Sequence, residues 1–531
     1  MNKKSEQFLP LILIILDGWG LNSKKRGNAV AQARTPNFDE LKKKYPFTKL
    51  KAHGQHVGLP QDQVGNSEAG HMNIGGGRVV EQDAVRINRD VVNGNFFKNS
   101  ALLSVVKHVR QNNSRLHLMG MVSNGMSPHS DIEHIIGLLE LARRYKIKQV
   151  YLHLFTDGRD SPQYQSVKLI KYISGKLHPG EEIVTVMGRF YAMDRKKNWS
   201  RTSKAYHALV QGKNVSEEKS FGEGLVKNYN RGNTDEFVEP FKIDDTKNKK
   251  RIRNGDGVIF FNLRSDRARQ LTKAFVQKKF NQMNPRAFRR KKVVRNLMFV
   301  AMTNFGPDLG DIKTAYPDIK IDNTLPESLQ ELSQLYVAET EKYAHVSYFF
   351  NGGKAGKVNG EDYFILSSPD VRSYEEAPEM KTRELGREII KNVRRNKYDV
   401  TVVNFAAPDM IGHTGNLKAA VQACEILDKN LGEIVREYIK RGGTVLVTAD
   451  HGNAEQMIDP DTEQINTQHT INPVPFIVIN DQTDLSLRSG ILADIAPTVL
   501  DLVGIKKPRE MSGKTLIVHA DQVSKNLRLE K

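Results

Sequence analysis

Cysteine is almost missing from this chain: Cys424 is the single thiol among 531 residues. One thiol closes no internal disulfide and builds no thiolate metal cluster, so nothing in the count points to an oxidising compartment. Val421, Leu427, Leu431 and Tyr438 share helical spacing with Cys424, which reads as a packed structural residue on an apolar helix face. Long apolar runs are missing too. No stretch reaches the roughly eighteen residues that a membrane span needs. The run from Phe8 to Leu16, behind Lys3 and Lys4, imitates the core of a signal peptide. It stops, however, at Asp17-Gly18-Trp19-Gly20 and not at a small-residue cleavage site. A buried parallel strand broken by Asp-Gly fits better, and the expectation is a soluble, cytoplasmic protein. No repeat of solenoid period recurs along the chain.

What is present is an ordinary globular balance, 39% hydrophobic and 27% charged, on a length sufficient for two or more domains. Eighty Lys and Arg against 61 Asp and Glu leave a formal charge of +19. That excess raises nucleic-acid or anionic-substrate partners without choosing between them. The stretches KIDDTKNKKRIRNGDG (242–257) and NPRAFRRKKVVRN (284–296) read as exposed loops or helix faces. The second holds six Lys or Arg between Arg286 and Arg295, but no aromatic series or nucleic-acid motif accompanies it, which favours a solvated face. Strand-like apolar runs alternate with helical patterns: LHLMGMVS (116–123), VYLHLFTD (150–157), IVTVMGRF (183–190), VIFFNL (258–263), NLMFVAMT (296–303), DVTVVNFA (399–406) and TVLVTADHG (444–452). The alternation predicts an α/β protein with largely parallel sheets.

GNSEAGH, residues 65 to 71, admits a plain reading as a turn and helix cap, because Ser and Asn oxygens accept from free N–H groups at a helix start. It also places Ser67 where a nucleophile could stand, but serine is weak until a base or metal activates it. Such a partner is available. Asp17 follows one apolar run, Asp409 and His413 follow another, and Asp450-His451 follows a third, with His469 just ahead of a further one. Residues just beyond the carboxyl ends of strands line one crevice in an open α/β sheet, so groups distant in sequence can converge there. Taken singly, Asp-Gly is usually a turn and a lone His a structural residue. Together, three Asp, three His and Ser67 form a mixed oxygen and nitrogen set without thiolate. Such a set suits Mn²⁺, Mg²⁺ or Zn²⁺ in a two-metal site that activates a hydroxyl and clamps a phosphoryl group.

A second population is cationic: Arg159 and Asp160 in FTDGRDSP, Arg189 and Arg195 in GRFYAMDR, Arg264 and Arg267 in FFNLRSDRARQL. Guanidinium groups recognise phosphate and carboxylate bidentately. Pairing with Asp157, Asp160, Asp194 and Asp266 would explain any one of them; their recurrence at strand-to-loop junctions favours an anionic-substrate pocket.

The motifs LIILDGWG, VGNSEAGHMNIGGGR, FTDGRDSP, GRFYAMDR, FFNLRSDRARQL, AETEKYAHVSYFFNGG, NFAAPDMIGHTG, TADHGNAE and HTINPVPF, taken in order, resemble the cofactor-independent phosphoglycerate mutases of the alkaline phosphatase superfamily. The likeness runs through nearly the whole chain. It implies two α/β domains, each a largely parallel sheet flanked by helices: a phosphatase-like metal-binding domain of residues 1–81 and 317–531, and an inserted transferase domain of residues 82–316, with the active site in the cleft between them. It implies two divalent metal ions, Mn²⁺ foremost, one held by Asp409, His413 and His469 and the other by Asp17, Asp450, His451 and the nucleophile Ser67. It further implies a substrate pocket of His129, Arg159, Asp160, Arg189, Arg195, Arg264, Arg267 and Lys342, in which Lys342 and Asp160 also serve catalysis. The activity implied is interconversion of 3-phosphoglycerate and 2-phosphoglycerate through phosphoserine, without 2,3-bisphosphoglycerate, by a monomer that needs neither membrane nor nucleic acid. Two places depart from the family pattern: NGMSPHS stands where GGVHSH is usual around the substrate histidine, and Ser265 stands where proline is common. The metal set alone would also serve a phosphopentomutase, phosphatase or sulfatase of that superfamily, and the basic surface a non-catalytic nucleic-acid binder; the arginine-rich insert favours a small, doubly anionic substrate.

Overall fold

The computed structural model describes residues 10–123, 127–212, 215–245, 247–310, 312–460, 462–481 and 485–518. The start of the signal-like segment, through Leu9, lies outside the described residues, as do Asn124, Gly125 and Met126 of NGMSPHS. The chain forms two compact units, one of Met1–Gln82 with Ile319–Lys531 and the other of Asp83–Asp318. Among the described residues no helix is long and apolar enough to cross a membrane.

The first unit is built on an eight-stranded sheet. From one edge the strands are Asp362–Leu366, Gln334–Glu339, Val400–Phe405, Leu11–Leu16, Thr444–Thr448, Val474–Ile479, Phe47–Lys51 and Gly490–Ile491. The first five run parallel. All six residues of Leu11–Leu16 are buried, as are all six of Val400–Phe405, because helices cover both faces of the sheet and leave no solvent side for alternation to mark. The longest of those helices, Leu417–Ile439, buries Cys424 together with Leu427, Leu431 and Tyr438, as its spacing predicts. Register brings the strand ends level: Leu16 lies beside Phe405 and Ile15 beside Thr448. The segments that follow these three strands therefore emerge side by side.

The second unit carries its own eight-stranded sheet, in the order Lys313–Tyr316, Met298–Thr303, Gly257–Phe260, Leu116–Met121, Val150–Thr156, Glu181–Gly188, Phe241–Ile243 and Ser216–Glu218. Every pairing is parallel except that of Glu181–Gly188 with Phe241–Ile243. The stretch 242–257 is not the exposed loop that its charge suggests, since Lys242, Asp245, Arg251 and Asp256 are all buried. Pairing permits this: Arg251 Nε donates to Asp245 Oδ2 at 2.9 Å and Arg115 Nη2 to Asp256 Oδ2 at 2.7 Å.

Between these two ion pairs a chain of hydrogen bonds crosses the sheet. Arg251 Nη1 donates to Thr185 Oγ1 at 2.7 Å, and Thr185 Oγ1 lies 3.0 Å from His153 Nδ1. His153 Nε2 lies 2.9 Å from His117 Nδ1, and His117 Nε2 lies 3.0 Å from Asp256 Oδ2. A guanidinium only donates and a carboxylate only accepts, so one direction satisfies every atom, with both imidazoles neutral. Burial holds the pKa of both rings below the ordinary histidine value, with His153 well below it. Thr185→Val leaves His153 Nδ1 and an Arg251 N–H without partners, and should cost about 1–3 kcal/mol in a urea melt at pH 7.5; an unchanged midpoint would contradict the directional chain. A depressed native pKa means that the unfolded chain takes up the proton first, so this stabilisation should be present above about pH 6.5 and be lost as pH falls below it.

Candidate metal centre

Five adjacent parallel strands of the first unit set the site, and four of them supply it. Lys342 follows Gln334–Glu339, Asp409 follows Val400–Phe405, Asp17 follows Leu11–Leu16, and Asp450 and His451 follow Thr444–Thr448. Asp17 and Asp450 are fully buried, and Asp409 and Lys342 nearly so. Lys342 Nζ donates to Asp17 Oδ1 at 2.7 Å, to Asp409 Oδ2 at 2.7 Å and to Ser67 Oγ at 2.8 Å. One ammonium thus bridges two carboxylates and the Ser67 hydroxyl. Burial, with Asp450 beside it, pushes Asp17 up to about 7 even though Lys342 opposes the shift. Burial acts on Asp409 in the same sense, but Lys342, His413 and His469 hold it well below the carboxylate range. Burial would lower Lys342; Asp17, Asp409 and Asp450 raise it instead.

GNSEAGH has both of its readings at once. Asn66 caps the helix Ser67–Gly76 by accepting from Ala69 N at 2.9 Å, which stands Ser67 at the first helical position. Ser67 Oγ lies 2.9 Å from His451 Nε2 and 3.4 Å from Asp17 Oδ1. The glycines are there for clearance: a Cβ on Gly65 would stand 2.1 Å from Ala52 O and 2.9 Å from His451 Cβ, and one on Gly70 would stand 2.7 Å from Asp450 O. Side chains at either position would push the loop off His451 and Asp450.

The orientations of the histidine rings fit these residues to a cation. His413 Nδ1 faces Thr467 O at 2.8 Å and His469 Nδ1 faces Gly65 O at 2.8 Å. A carbonyl only accepts, so each ring carries a proton on Nδ1, and Nε2 is the atom turned toward Asp409, as a donor in the cationic ring and as a lone pair in the neutral one. Those atoms face each other at 3.1 Å and approach Asp409 Oδ1 at 3.4 Å from His413 and 3.3 Å from His469. With both rings neutral, three electron pairs converge on one point, which is repulsive unless a cation lies among them. His451 has the same polarity, with Nδ1 toward Gly452 O at 3.3 Å and Nε2 toward Ser67. By distance, Asp409, His451 and His469 form one donor group, and Asp17, His71 and Asp450 a second. Asp450 Oδ2 is buried without a hydrogen-bond donor, which completes an oxygen and nitrogen set suited to hard or borderline divalent ions.

Three supporting residues escaped the reading of the sequence. Asn404 Nδ2 donates to Asp17 Oδ2 at 2.6 Å, and Asn453 Nδ2 to Asp409 Oδ1 at 2.8 Å. Buried Glu455 accepts from Gly20 N at 3.0 Å, Asn453 N at 2.8 Å, Asn472 Nδ2 at 2.9 Å and the Thr470 hydroxyl, tying together the loops that carry Asp17, Asp450 and His469. Asn404 left a signal, as a buried amide near the end of the largely apolar run DVTVVNFA.

The second unit gathers the arginines. Buried Arg189 donates to Asp157 and, at 2.6 Å, to Asp160 Oδ2, which also accepts from Ser127 Oγ at 3.1 Å and lies 3.9 Å from His129 Nε2. Burial and Arg189 bring His129 down to about 3, so the ring is neutral at physiological pH. Arg195 pairs with Asp266 at 2.7 Å, with Arg264 at 3.9 Å from the same carboxylate. Arg267 is lowered by burial and then by Arg189, Arg195 and Arg159, so cationic charge there exceeds what the aspartates neutralise. Arg159 itself is half exposed and faces Glu236 at 3.6 Å. The pairings with Asp157, Asp160 and Asp266 are real, whereas Asp194 takes Arg201, at 3.2 Å.

Fold and donor set define a member of the Metalloenzyme superfamily, whose family model matches residues 9–507. The chain is 47% identical over 515 residues to the 2,3-bisphosphoglycerate-independent phosphoglycerate mutase 1 of Methanosarcina acetivorans, covering 96% of this chain and 98% of the relative. It is equally 47% identical over 515 residues to the 2,3-bisphosphoglycerate-independent phosphoglycerate mutase of Clostridium kluyveri, at 96% and 99% coverage. A solved structure of Leishmania mexicana phosphoglycerate mutase, at low cobalt concentration, aligns with a TM-score of 0.75 and 28% identity over 97% of this chain and 98% of that one. The chain belongs to the family of 2,3-bisphosphoglycerate-independent phosphoglycerate mutases, and it is an enzyme of that class.

If the converging lone pairs are metal ligands, Mn²⁺ at a hundredfold excess over its dissociation constant should stabilise the folded chain by about 2.7 kcal/mol. Asp450→Asn should lose most of that gain while remaining folded in EDTA. Equal Mn²⁺ stabilisation of both proteins in a thermal melt would contradict the assignment.

Proposed function

We propose that the chain interconverts 3-phosphoglycerate and 2-phosphoglycerate through a phosphoserine on Ser67, using two divalent ions, Mn²⁺ foremost, and no 2,3-bisphosphoglycerate. Asp409, His413 and His469 would hold one ion, and Asp17, Ser67, Asp450 and His451 the other. When bound, such a pair lowers the pKa of a coordinated hydroxyl and offsets charge on the phosphoryl oxygens. On this reading residues 1–81 and 317–531 are the metal-binding, phosphatase-like part, and residues 82–316 the substrate-binding transferase part. The chain would act as a cytoplasmic monomer on a small substrate. The observation that carries the proposal is the position of Ser67 Oγ, 2.8 Å from Lys342 Nζ and 2.9 Å from His451 Nε2.

Ser67 Oγ attacks phosphorus and gives up its hydroxyl proton, the bond from phosphorus to the C3 oxygen breaks, and that oxygen takes up a proton with the help of Lys342, so that the serine proton is passed, net, to the departing hydroxyl. Lys342 stabilises the transferred group and the departing oxygen. Ser67 stands at the first position of the helix Ser67–Gly76, where the helix dipole favours the negative charge of the new phosphoserine. Glycerate is retained through its carboxylate by Arg264, Arg267, Arg195 and Arg159. Asp160, kept ionised by Arg189, orients or deprotonates the 2-hydroxyl beside neutral His129. The 2-oxygen then attacks the phosphoserine and releases Ser67.

Turnover of 3-phosphoglycerate with added Mn²⁺ and without 2,3-bisphosphoglycerate is the test. Chelation or Ser67→Ala should abolish it, and Lys342→Ala should lower kcat by about 10²–10³. Undiminished turnover by folded Ser67→Ala would refute the phosphoserine route.

A further inference from the structure

His71 belongs by distance to the donor group of Asp17 and Asp450, yet its hydrogen bonds give it another part. Its Nδ1 lies 2.9 Å from Ser67 O and 3.3 Å from Asp450 Oδ2. Both are acceptors, so the ring proton resides on Nδ1, and that atom has no lone pair left for a metal. The proton is aimed at the nearer carbonyl, which leaves Asp450 Oδ2 facing the ring without a full hydrogen bond. Nε2 is occupied as well, 3.0 Å from Asn404 Nδ2, whose amide also donates to Asp17 Oδ2 at 2.6 Å. His71 and Asn404 are both fully buried.

One connected unit thus spans three of the groups that would meet the second ion. Asn404 touches one oxygen of Asp17, while His71 touches the backbone of Ser67 and sits against one oxygen of Asp450. His345 closes the far side, its ring centroid 5.5 Å from that of His71 and its ring stacked on Phe349. The arrangement fixes carboxylate rotation without occupying the coordinating lone pairs.

Resting on the reading of Asp17, Ser67 and Asp450 as ligands, we propose that His71 and Asn404 are positioning residues that hold the Asp17 and Asp450 carboxylates and the Ser67 backbone in the orientation that binds the second divalent ion. Their removal acts through the ligands and not by deleting one. Outer residues of this kind typically contribute about 10–100-fold to metal affinity.

Mn²⁺ binding to the full-length, chelator-stripped chain, followed by electron paramagnetic resonance and calorimetry, provides a readout independent of turnover. His71→Phe should weaken one of the two sites by about 10–100-fold and leave the other within about twofold. His71→Asn keeps an N–H near the Nδ1 position and should recover most of the affinity. Asn404→Ala should weaken the same site, which keeps the test open if His71→Phe fails to fold. In turnover, kcat at fixed Mn²⁺ should fall while KM for 3-phosphoglycerate stays unchanged, and excess Mn²⁺ should restore kcat. Unaltered Mn²⁺ affinity in folded His71→Phe or Asn404→Ala would overturn the positioning role. A parent chain that binds no Mn²⁺ would instead refute the metal assignment on which the proposal stands.

Discussion

Three carboxylates, those of Asp17, Asp409 and Asp450, are shut away from water at the ends of adjacent parallel strands. An ionised carboxylate left alone in such a place costs far more than any domain has in stability, so each needs a partner. Lys342 supplies one positive charge and Asn404 and Asn453 supply dipoles. The remaining excess of negative charge is what fits the centre to divalent cations. It also explains the opposed behaviour of two carboxylates equally close to Lys342: Asp409 is supported by His413 and His469, whereas Asp17 meets Asp450.

The ring tautomers extend the same logic. Backbone carbonyls take the Nδ1 protons of His413, His451 and His469 and turn the Nε2 atoms toward Asp409 and Ser67, where each can hold either a proton or a metal ion. His71 is oriented oppositely, with both ring nitrogens engaged. Imidazoles of identical intrinsic chemistry thereby divide into groups able to ligate and a group that supports. The second unit has the complementary sign. There Asp157, Asp160 and Asp266 pair with Arg189 and Arg195 inside a cluster that holds further arginines, which is the feature the proposed anionic substrate would use.

Much of this was legible in the chain itself. The apolar runs gave the strands because strands covered on both faces carry no alternation, and the Asp at the end of each gave the carboxylates because strand ends in a parallel sheet open into one crevice. Other features depend on pairing that no single stretch displays. Arg251 and Asp245 sit in a stretch whose charge reads as solvated, and only their mutual contact and Thr185 permit burial. His71 stood inside the quoted motif, but its role depends on Asn404, more than three hundred residues away, and on which ring nitrogen meets a carbonyl. Glu455 was hidden for the same reason, since its partners come from separate loops.

The most direct measurement is acid quench of the Mn²⁺-loaded chain within milliseconds of mixing with 3-phosphoglycerate, followed by peptide mass spectrometry. Phosphate on the peptide that carries Ser67, appearing no more slowly than product and absent after chelation, is the expected result. Product formed at full rate with no phosphate ever found on Ser67 would contradict the account.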